Sequence, residues 1–447
     1  MASTYLTRTF GSATNRSKCT ISFWVKKGFS GDTQQPFCSY ADNNNRFQLY
    51  FESTDELSIY NKDNGSDTIY LKSMAKYRDP NAWYHIYASV DTTISTASDR
   101  VKLYVNGERI TSFHPSQNIP NQNSDLSFGN NAFTFNLGRY GGTGHHLNGI
   151  LSHFYFIDGS VVAHTQFGST DSTTGEWKIN TAPTISDFGN EGCKLFIDNN
   201  SLTDQSGKGN NMTLAAGTLT KTEDNPSNVF ATGNALIGNH SNGNALVPNY
   251  SNGNTTSSYG SGEWRIHQST LGASSGKYYC EYKWVSNSNT AYAYVGIYDL
   301  DGYAQKVTGY PYMADMANCF SIKDGNGQVW TGSSGTSYGT SYTVGDIIGV
   351  AMDLDNNKCY WSKNGTWMNS ANPSSGTGGY SITANKTYAF GVQQYSQGGS
   401  TWSANYGNGY FGTTAISSEG TNASGIGKFE YDVPTGYTAL STKGLNE

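Results

Sequence analysis

The residues best placed to do chemistry are few. Asp353 and Asp355 stand two apart in a run that alternates as a strand, so both carboxyls fall on one face. Acid–base cleavage of a glycosidic bond needs two carboxyls at roughly 5–10 Å, which this spacing provides. The same run is a hairpin, however, and strand pairing and turn solvation account for both aspartates without catalysis. Glu52, Asp55 and Glu56 cluster at a turn between strands and read as solvated turn residues. His85, His153 and His164 lie on or beside strands, and His145-His146 lies in a glycine-rich loop. None has the spacing that converges zinc ligands. That loop, GRYGGTGHH, lacks the Lys-Ser/Thr ending and following helix of a phosphate loop. No nucleophile elbow and no catalytic serine or cysteine signature is present. The expectation is therefore a protein that binds rather than transforms. Tyr and Trp suit that task, because they bury much area at low entropy cost. Tyr310, Tyr312, Trp330, Tyr338 and Trp402 fall in loop-like segments (303–312, 330–342 and 396–410) and are the candidate binding residues. Tyr310 and Tyr312 flank Pro311, which argues most directly for exposure.

Composition says what kind of scaffold holds them. The chain has 447 residues, a length of two or three domains. Hydrophobic residues make up 36% and charged residues 14%; Gly, Ser, Thr and Asn fill the deficit, beside 32 Tyr, 20 Phe and 9 Trp. Disordered chains lack aromatics, so this one folds, and many short strands joined by Gly/Asn turns fit it best. No sustained period of 3.6 with capping signals occurs, so very little helix is expected. The net charge of −6, without a Lys/Arg cluster, argues against a nucleic-acid partner. No apolar run approaches the roughly 20 residues that membrane insertion needs. The opening MASTYLTRTFGSATNR has no apolar core of a signal peptide. Cys19, Cys38, Cys193, Cys280, Cys319 and Cys359 are widely spaced with no CxxC, which predicts buried thiols in a chain folded in a reducing cytoplasm.

Alternating runs place the strands. In the first half they are CTISFWVK at 19–26, segments 47–51 and 57–60, WYHIYASVD at 83–91, VKLYVNGERI from 101, and LNGILSHFYFIDG at 147–159. Asn106-Gly107 signals a type I′ hairpin. Segment 233–254 repeats GNAL and SNGN once each, has the composition of a linker, and marks the domain boundary. Beyond it, GKYYCEYKWV at 276–285 and segment 291–297 alternate, followed by GDIIGVAMDLDNNKCYWSKNGTW at 345–367. A two-residue turn at Asn356-Asn357 would oppose Asp355 to Lys358 and Met352 to Trp361. The order strand, strand, NG turn occurs in both halves and reads as one architecture used twice.

The motifs TISFWVK, NAWYHIYASVD, VKLYVNGERI and LGRYGGTGHHLNGILSHFYFIDGSVV, in that order, resemble a laminin-G-like jelly roll over residues 3–162. SSGKYYCEYKW, AYVGIYD, VGDIIGVAMDLDNNKCYWSKNGTW and YAFGVQ with ANYG resemble a SPRY domain over residues 264–412. The resemblances imply an all-β chain of two concanavalin-like β-sandwich (jelly-roll) domains in tandem. The expected boundaries are 1–200 for the laminin-G-like sandwich, 201–256 for a Gly/Asn-rich connector, 257–415 for the SPRY sandwich and 416–447 for a tail that packs on a domain or partner. Laminin-G-like domains often hold calcium, for which the strand-ending Asp91 and Asp158 are the candidates; no other cofactor is expected. Segment 167–228 and the tail FEYDVPTGYTALSTKGLNE are similar to blocks in virion proteins of tailed, especially marine, bacteriophages.

That last resemblance implies a structural virion protein, made in the bacterial host cytoplasm. The leading expectation is a fiber- or spike-type appendage that binds a host-surface glycan or protein, contacts other virion proteins and forms a homo-oligomer, with a trimer favoured. A capsid decoration protein on the major capsid protein is the alternative, and an enzyme degrading surface polysaccharide has least support.

Overall fold

The computed structural model describes all residues except 1–3, 29–30, 143, 238, 242–243, 261, 289–290, 301–312, 397 and 447. The chain is nearly all-β and divides into two units, Met1–Leu219 and Thr220–Glu447. The first unit stacks two antiparallel sheets. One has seven strands in the order Thr213–Ala216, Tyr5–Thr9, Thr134–Leu137, Gln34–Asp42, Asn45–Phe51, Glu56–Asp63 and Ser66–Lys76. The other has six, in the order Cys193–Leu195, Gly149–Asp158, Lys18–Lys27, Trp83–Asp91, Val101–Val105 and Glu108–Arg109. Side chains alternate across a strand, so Ile21, Phe23 and Val25 of one sheet meet Phe37, Phe47 and Leu49 of the other in a single core. Phe135 ties it together, with ring centroids 5.1 Å from Phe37 and 5.5 Å from Phe156.

The second unit repeats the plan with a nine-stranded and a six-stranded sheet. Cys280, Tyr282 and Trp284 of Lys277–Asn287, Ile348, Val350 and Met352 of Ile347–Asp353, and Cys359 and Trp361 of Lys358–Lys363 point inward. They meet Val295 and Ile297 of Ala291–Asp299, and Phe390 and Val392 of Tyr388–Ser396. Both units are concanavalin-like sandwiches, as the resemblances imply. All six cysteines are buried thiols.

The shared hairpin is conserved in geometry between the units down to its hydrogen bonds. Val105 pairs with Glu108 around Asn106-Gly107 (φ 49° and 79°), and Lys363 pairs with Thr366 around Asn364-Gly365 (φ 48° and 79°). These are the positive φ values a type I′ turn demands, which Asn tolerates and Gly adopts without strain. Asn106 Oδ1 accepts from the His85 amide at 2.7 Å; Asn364 Oδ1 accepts from the Ile347 amide at 2.8 Å.

The turn at 354–357 differs from expectation. Asp353 pairs with Lys358 and Met352 with Cys359, so four residues, not two, make the connection. The side chain of Asp353 is the cause: it accepts from the Asn356 amide (3.0 Å) and Asn356 Nδ2 (2.9 Å), organising a longer turn that two-residue chemistry does not describe. The shift is an even number of residues, so every side chain keeps its face.

In each unit a later segment seals the outer face of one sheet. In the first, Phe167, Trp177 and Phe188 cover Tyr87, Tyr155 and His85 on the six-stranded sheet. In the second, Phe429, Val433, Tyr437 and Ala439 cover Tyr279, Ala351 and Tyr360 on the nine-stranded sheet. There Thr438–Ala439 adds a short parallel pairing to Tyr278 and Tyr279. Glu281, fully buried, accepts from the amides of Glu430 (3.0 Å) and Tyr431 (2.9 Å), from Asn405 Nδ2 (3.1 Å) and from the Tyr279 hydroxyl (3.2 Å). The tail expected to pack on a domain or partner thus lies on the second unit.

The stretch 201–256, expected as a connector, is instead shared out between the units. Thr213–Ala216 pairs with residues of Tyr5–Thr9 in the first. In the second, Asn249–Ser251 pairs with Thr256–Tyr259, which pairs with Ser400–Asn405. Its Gly/Asn-rich composition reflects turns between short strands rather than a free linker.

Candidate functional site

An aromatic cluster lies on the outer face of the six-stranded sheet in the second unit, where Met313, Ala314 and Met316 also pack. Strand Ala291–Asp299 sends Ala293, Val295 and Ile297 into the core, so Tyr292 and Tyr294 point outward. Register aligns Trp264 of Glu263–Gln268 and Tyr292 each opposite Tyr395. The Trp264 ring lies 6.4 Å from Tyr292 at 26°, 5.8 Å from Tyr294 and 5.5 Å from Tyr395. Trp330, on the strand Gln328–Thr331, meets Tyr294 edge-on at 6.4 Å. Lys323 reaches over the rings of Tyr292 (5.5 Å) and Trp330 (5.3 Å), a cation–π pairing at the rim. Tyr292 is 45% exposed, unusually open for a large aromatic residue on a sheet. Trp330 Nε1 and the Oδ1 of nearly buried Asp324 have no hydrogen-bond partner among the described residues. Burial pushes the Asp324 carboxyl up and the Tyr294 hydroxyl to about 12, with Asp324 and Asp315 adding to the latter. The result is a platform of aromatic faces with an ammonium and an acceptor at its edge.

Of the residues singled out from sequence, only Trp330 belongs to this platform. Trp402 is fully buried: its ring stacks on Trp284 at 5.1 Å and 14°, and its Nε1 donates to Gln394 Oε1. Tyr338 is also interior, 8% exposed, edge-on to Trp361 at 5.4 Å with its hydroxyl on the Gly378 carbonyl. Both are core side chains: Trp402 holds an inward-facing position of the strand Ser400–Asn405, and Tyr338 directly follows the strand Ser334–Ser337 and turns into the core. Tyr310 and Tyr312 lie outside the described residues. The missed residues, Tyr292 and Tyr294, had a signal: AYAYVGIYD alternates tyrosine with small and aliphatic residues, which gives one strand an aromatic outer face.

The calcium candidates do not fit a cation. Asp158 accepts from the amides of Thr14 (2.6 Å), Asn15 (3.2 Å) and Glu191 (3.3 Å), a ring of donors that would face any metal placed there. Asp91 ion-pairs with Lys18 at 3.1 Å and accepts from the Thr93 amide and hydroxyl. Among the described residues no three His, Cys, Asp or Glu side chains converge as metal ligands. The acidic residues weighed for hydrolysis are likewise engaged. Asp353 pairs with Lys277 (3.0 Å), Asp355 accepts from the Gly276 amide, Asp55 pairs with Lys27, and Glu56 lies between Lys72 and Lys76.

Each unit also buries a histidine. His85 Nδ1 accepts from Trp177 Nε1 (3.0 Å), which leaves the proton on Nε2 for Ser22 Oγ at 2.9 Å. His267 contacts Ser257 Oγ (2.9 Å) and the Tyr406 hydroxyl (3.2 Å), which meets that of Tyr282 at 2.8 Å. Burial pushes both imidazoles down to about 3, with His164 adding a little at His85, so both are neutral at pH 7. Lying sealed inside the fold, they hold it together and face no substrate.

Residues 2–165 match the sequence profile of a family described as the Concanavalin A-like lectin/glucanases superfamily. A Ran-binding proteins 9/10 homolog from Drosophila melanogaster is 33% identical over 98 residues, which are 21% of this chain and 9% of that protein. The chain therefore spans under a tenth of that relative's length. Among solved structures, the SPRY domain of human HERC1 is 18% identical, covering 34% of this chain and 87% of its own, with a TM-score of 0.26. The heptameric SAP-like pentraxin from Limulus polyphemus is 18% identical, covering 37% and 74%, with a TM-score of 0.28. The profile match falls in the first unit, whose two-sheet sandwich agrees with it.

Proposed function

We propose that this is a non-enzymatic binding protein of a tailed-phage virion: a fiber- or spike-type surface appendage whose second unit takes a host-surface glycan. The observation that carries the reading is the aromatic cluster of Trp264, Tyr292, Tyr395 and Trp330, in which Tyr292 is 45% exposed and Lys323 lies over the rings of Tyr292 and Trp330. Pyranose rings present apolar C–H faces that stack on such rings, while Lys323 and Asp324 are suited to their hydroxyls. Assembly as a homo-oligomer, a trimer by preference, would multiply weak single-site contacts into avid attachment. Other virion proteins are its remaining partners, the virion its place after synthesis in the host cytoplasm, and no cofactor is needed. The resemblance of segment 167–228 and of the tail to phage virion proteins supports the setting; the platform supports the task.

The test is binding of the purified full chain to host-envelope glycans, before and after Tyr292→Ala and Trp264→Ala. Losing two stacked rings should weaken binding at least tenfold, at ~1 kcal/mol or more per ring. Unchanged binding in both variants overturns the site. Release of reducing sugar overturns the non-enzymatic reading. Particles lacking the protein that adsorb normally but have fragile heads would point to capsid decoration instead.

A further inference from the structure

The open outer face of the first unit carries a different chemistry. On the seven-stranded sheet, Tyr40 and Arg46 are direct cross-strand neighbours. The loop after strand Thr134–Leu137 folds back onto them. Gly141 lies so close to Tyr40 that a Cβ there would sit 2.1 Å from the tyrosine Cβ, so a side chain would lift the loop away. Asn43 Oδ1 receives both the Tyr40 hydroxyl (3.2 Å) and the Tyr140 hydroxyl (3.0 Å), and the two rings meet edge-on at 5.2 Å. Arg46 lies over Tyr60 (5.0 Å) and Tyr140 (6.0 Å). Arg139 lies over Tyr5 at 3.9 Å, and Tyr5 is 5.9 Å from His146. Tyr5, Tyr40, Arg46, Arg139, Tyr140 and His146 are all partly exposed.

The two arginines are short of partners. Arg139 makes one long hydrogen bond, Nη2 to the Gly141 carbonyl at 3.5 Å. Arg46 donates to the Asn43 carbonyl and, at 3.5 Å, to the Tyr60 hydroxyl. Neither has a carboxylate at ion-pair distance among the described residues, although Arg8, Arg16 and Arg109 do. The nearby acids are already engaged: Asp67 with Tyr60 and Lys62, and Asp42 with the Asn44 amide and Asn45 Nδ2. Arg139 Nε and His146 Nδ1 also lack hydrogen-bond partners among the described residues. A guanidinium is a planar fork made for a carboxylate or sulfate, and tyrosine faces are made for sugar rings.

We propose that this face binds an acidic saccharide, with its acid group on the guanidinium of Arg139 beside Arg46 and its rings on Tyr5, Tyr40 and Tyr140. The site is separate from the second-unit platform and stands or falls without it.

Calorimetric titration of the full chain with three oligosaccharides tests this: oligogalacturonate, a heparin fragment and neutral maltohexaose. The expected result is that an acidic probe binds, weakens as salt rises, and outcompetes maltohexaose at this face. Arg139→Gln and Arg46→Gln should each weaken acidic binding at least tenfold. Arg139→Lys should fall between, since it keeps charge but loses the fork. Thermal unfolding should confirm that every variant is folded. Whichever acidic probe binds more tightly identifies the acid group as carboxylate or sulfate. No binding of either acidic probe, equal binding of maltohexaose, or full binding by both glutamine variants overturns the proposal.

Discussion

The two NG hairpins are the same structure set against different partners. Each turn has the same φ pair, the same asparagine side chain on the amide of the preceding strand, and the same place at the sheet's edge. What presses on the glycine differs. A Cβ on Gly107 would sit 2.3 Å from the Trp177 ring, and one on Gly365 would sit 2.6 Å from the Tyr431 ring. Trp177 belongs to the segment that seals the first unit's six-stranded sheet, and Tyr431 to the tail that lies over the second unit's nine-stranded sheet. The sandwich supplies a turn whose glycine admits a covering aromatic ring, and each unit fills that opening from a separate, unrelated stretch of chain. The other outer face of each unit carries the residues proposed to bind: guanidinium and tyrosine in the first unit, indole and tyrosine in the second.

The sharpest way to break this symmetry is to remove the covering ring. Trp177→Ala should cost the first unit ~3–5 kcal/mol, because it empties a nearly buried site and leaves His85 Nδ1 without its donor. Tyr431→Ala, at a half-buried ring, should cost the second unit only ~1 kcal/mol. Hydrogen exchange resolved by unit in urea measures both; equal losses would deny the difference in sealing.

Substitutions at the glycines probe the opening itself. Gly107→Ala and Gly365→Ala each combine a positive φ with a clash against an aromatic ring, and ~2 kcal/mol apiece is expected. The two losses should add in the double variant, since the sites share no partner. Chemical denaturation of the three variants decides it.

A third comparison uses pH. His85 and His267 fall from 6.5 to about 3 in the fold, so the unfolded chain takes up protons first and stability drops as pH falls below 6.5. Glu281 rises from 4.5 to about 7, chiefly through burial, so its contribution is full below 4.5 and is lost as pH rises toward 7. Between pH 4.5 and 6.5 the two groups of the second unit oppose each other. The first unit has His85, and His153 at about 4, pulling in one direction. Unit-resolved exchange should show the first unit losing ~1 kcal/mol or more per pH unit on acidification, while the second stays nearly flat. Parallel slopes would contradict this.

The smallest effect is expected from Asn106→Ala and Asn364→Ala, each of which removes one hydrogen bond and some preference for positive φ. About 1 kcal/mol each, equal within error, is expected from thermal melts.

Much of this was legible in the sequence because it is local. Alternation marked the strands and the NG pairs marked the turns. The turn at 354–357 misled because its geometry is set by the Asp353 side chain, not by the two residues at its tip. Trp402 read from sequence as a loop aromatic; only the register that stacks it on Trp284 shows that it faces inward. Arg46 and Arg139 are far apart in the chain and come together through the pairing of three strands, which no local pattern reports. The outer tyrosines of AYAYVGIYD could have been found, since alternation alone sets them opposite the core residues.

Glu281 has a consequence for how the second unit is made. Two of its acceptor contacts are to amides roughly 150 positions later in the chain. At synthesis rates of about 5–20 residues per second, that carboxylate waits on the order of ten to thirty seconds before its last partners exist. Through that interval it is better protonated or hydrated than buried, and the outer face around Tyr279 stays uncovered. The outer face around Tyr279 and Ala351 therefore has no cover from the tail until nearly all of the unit has been translated.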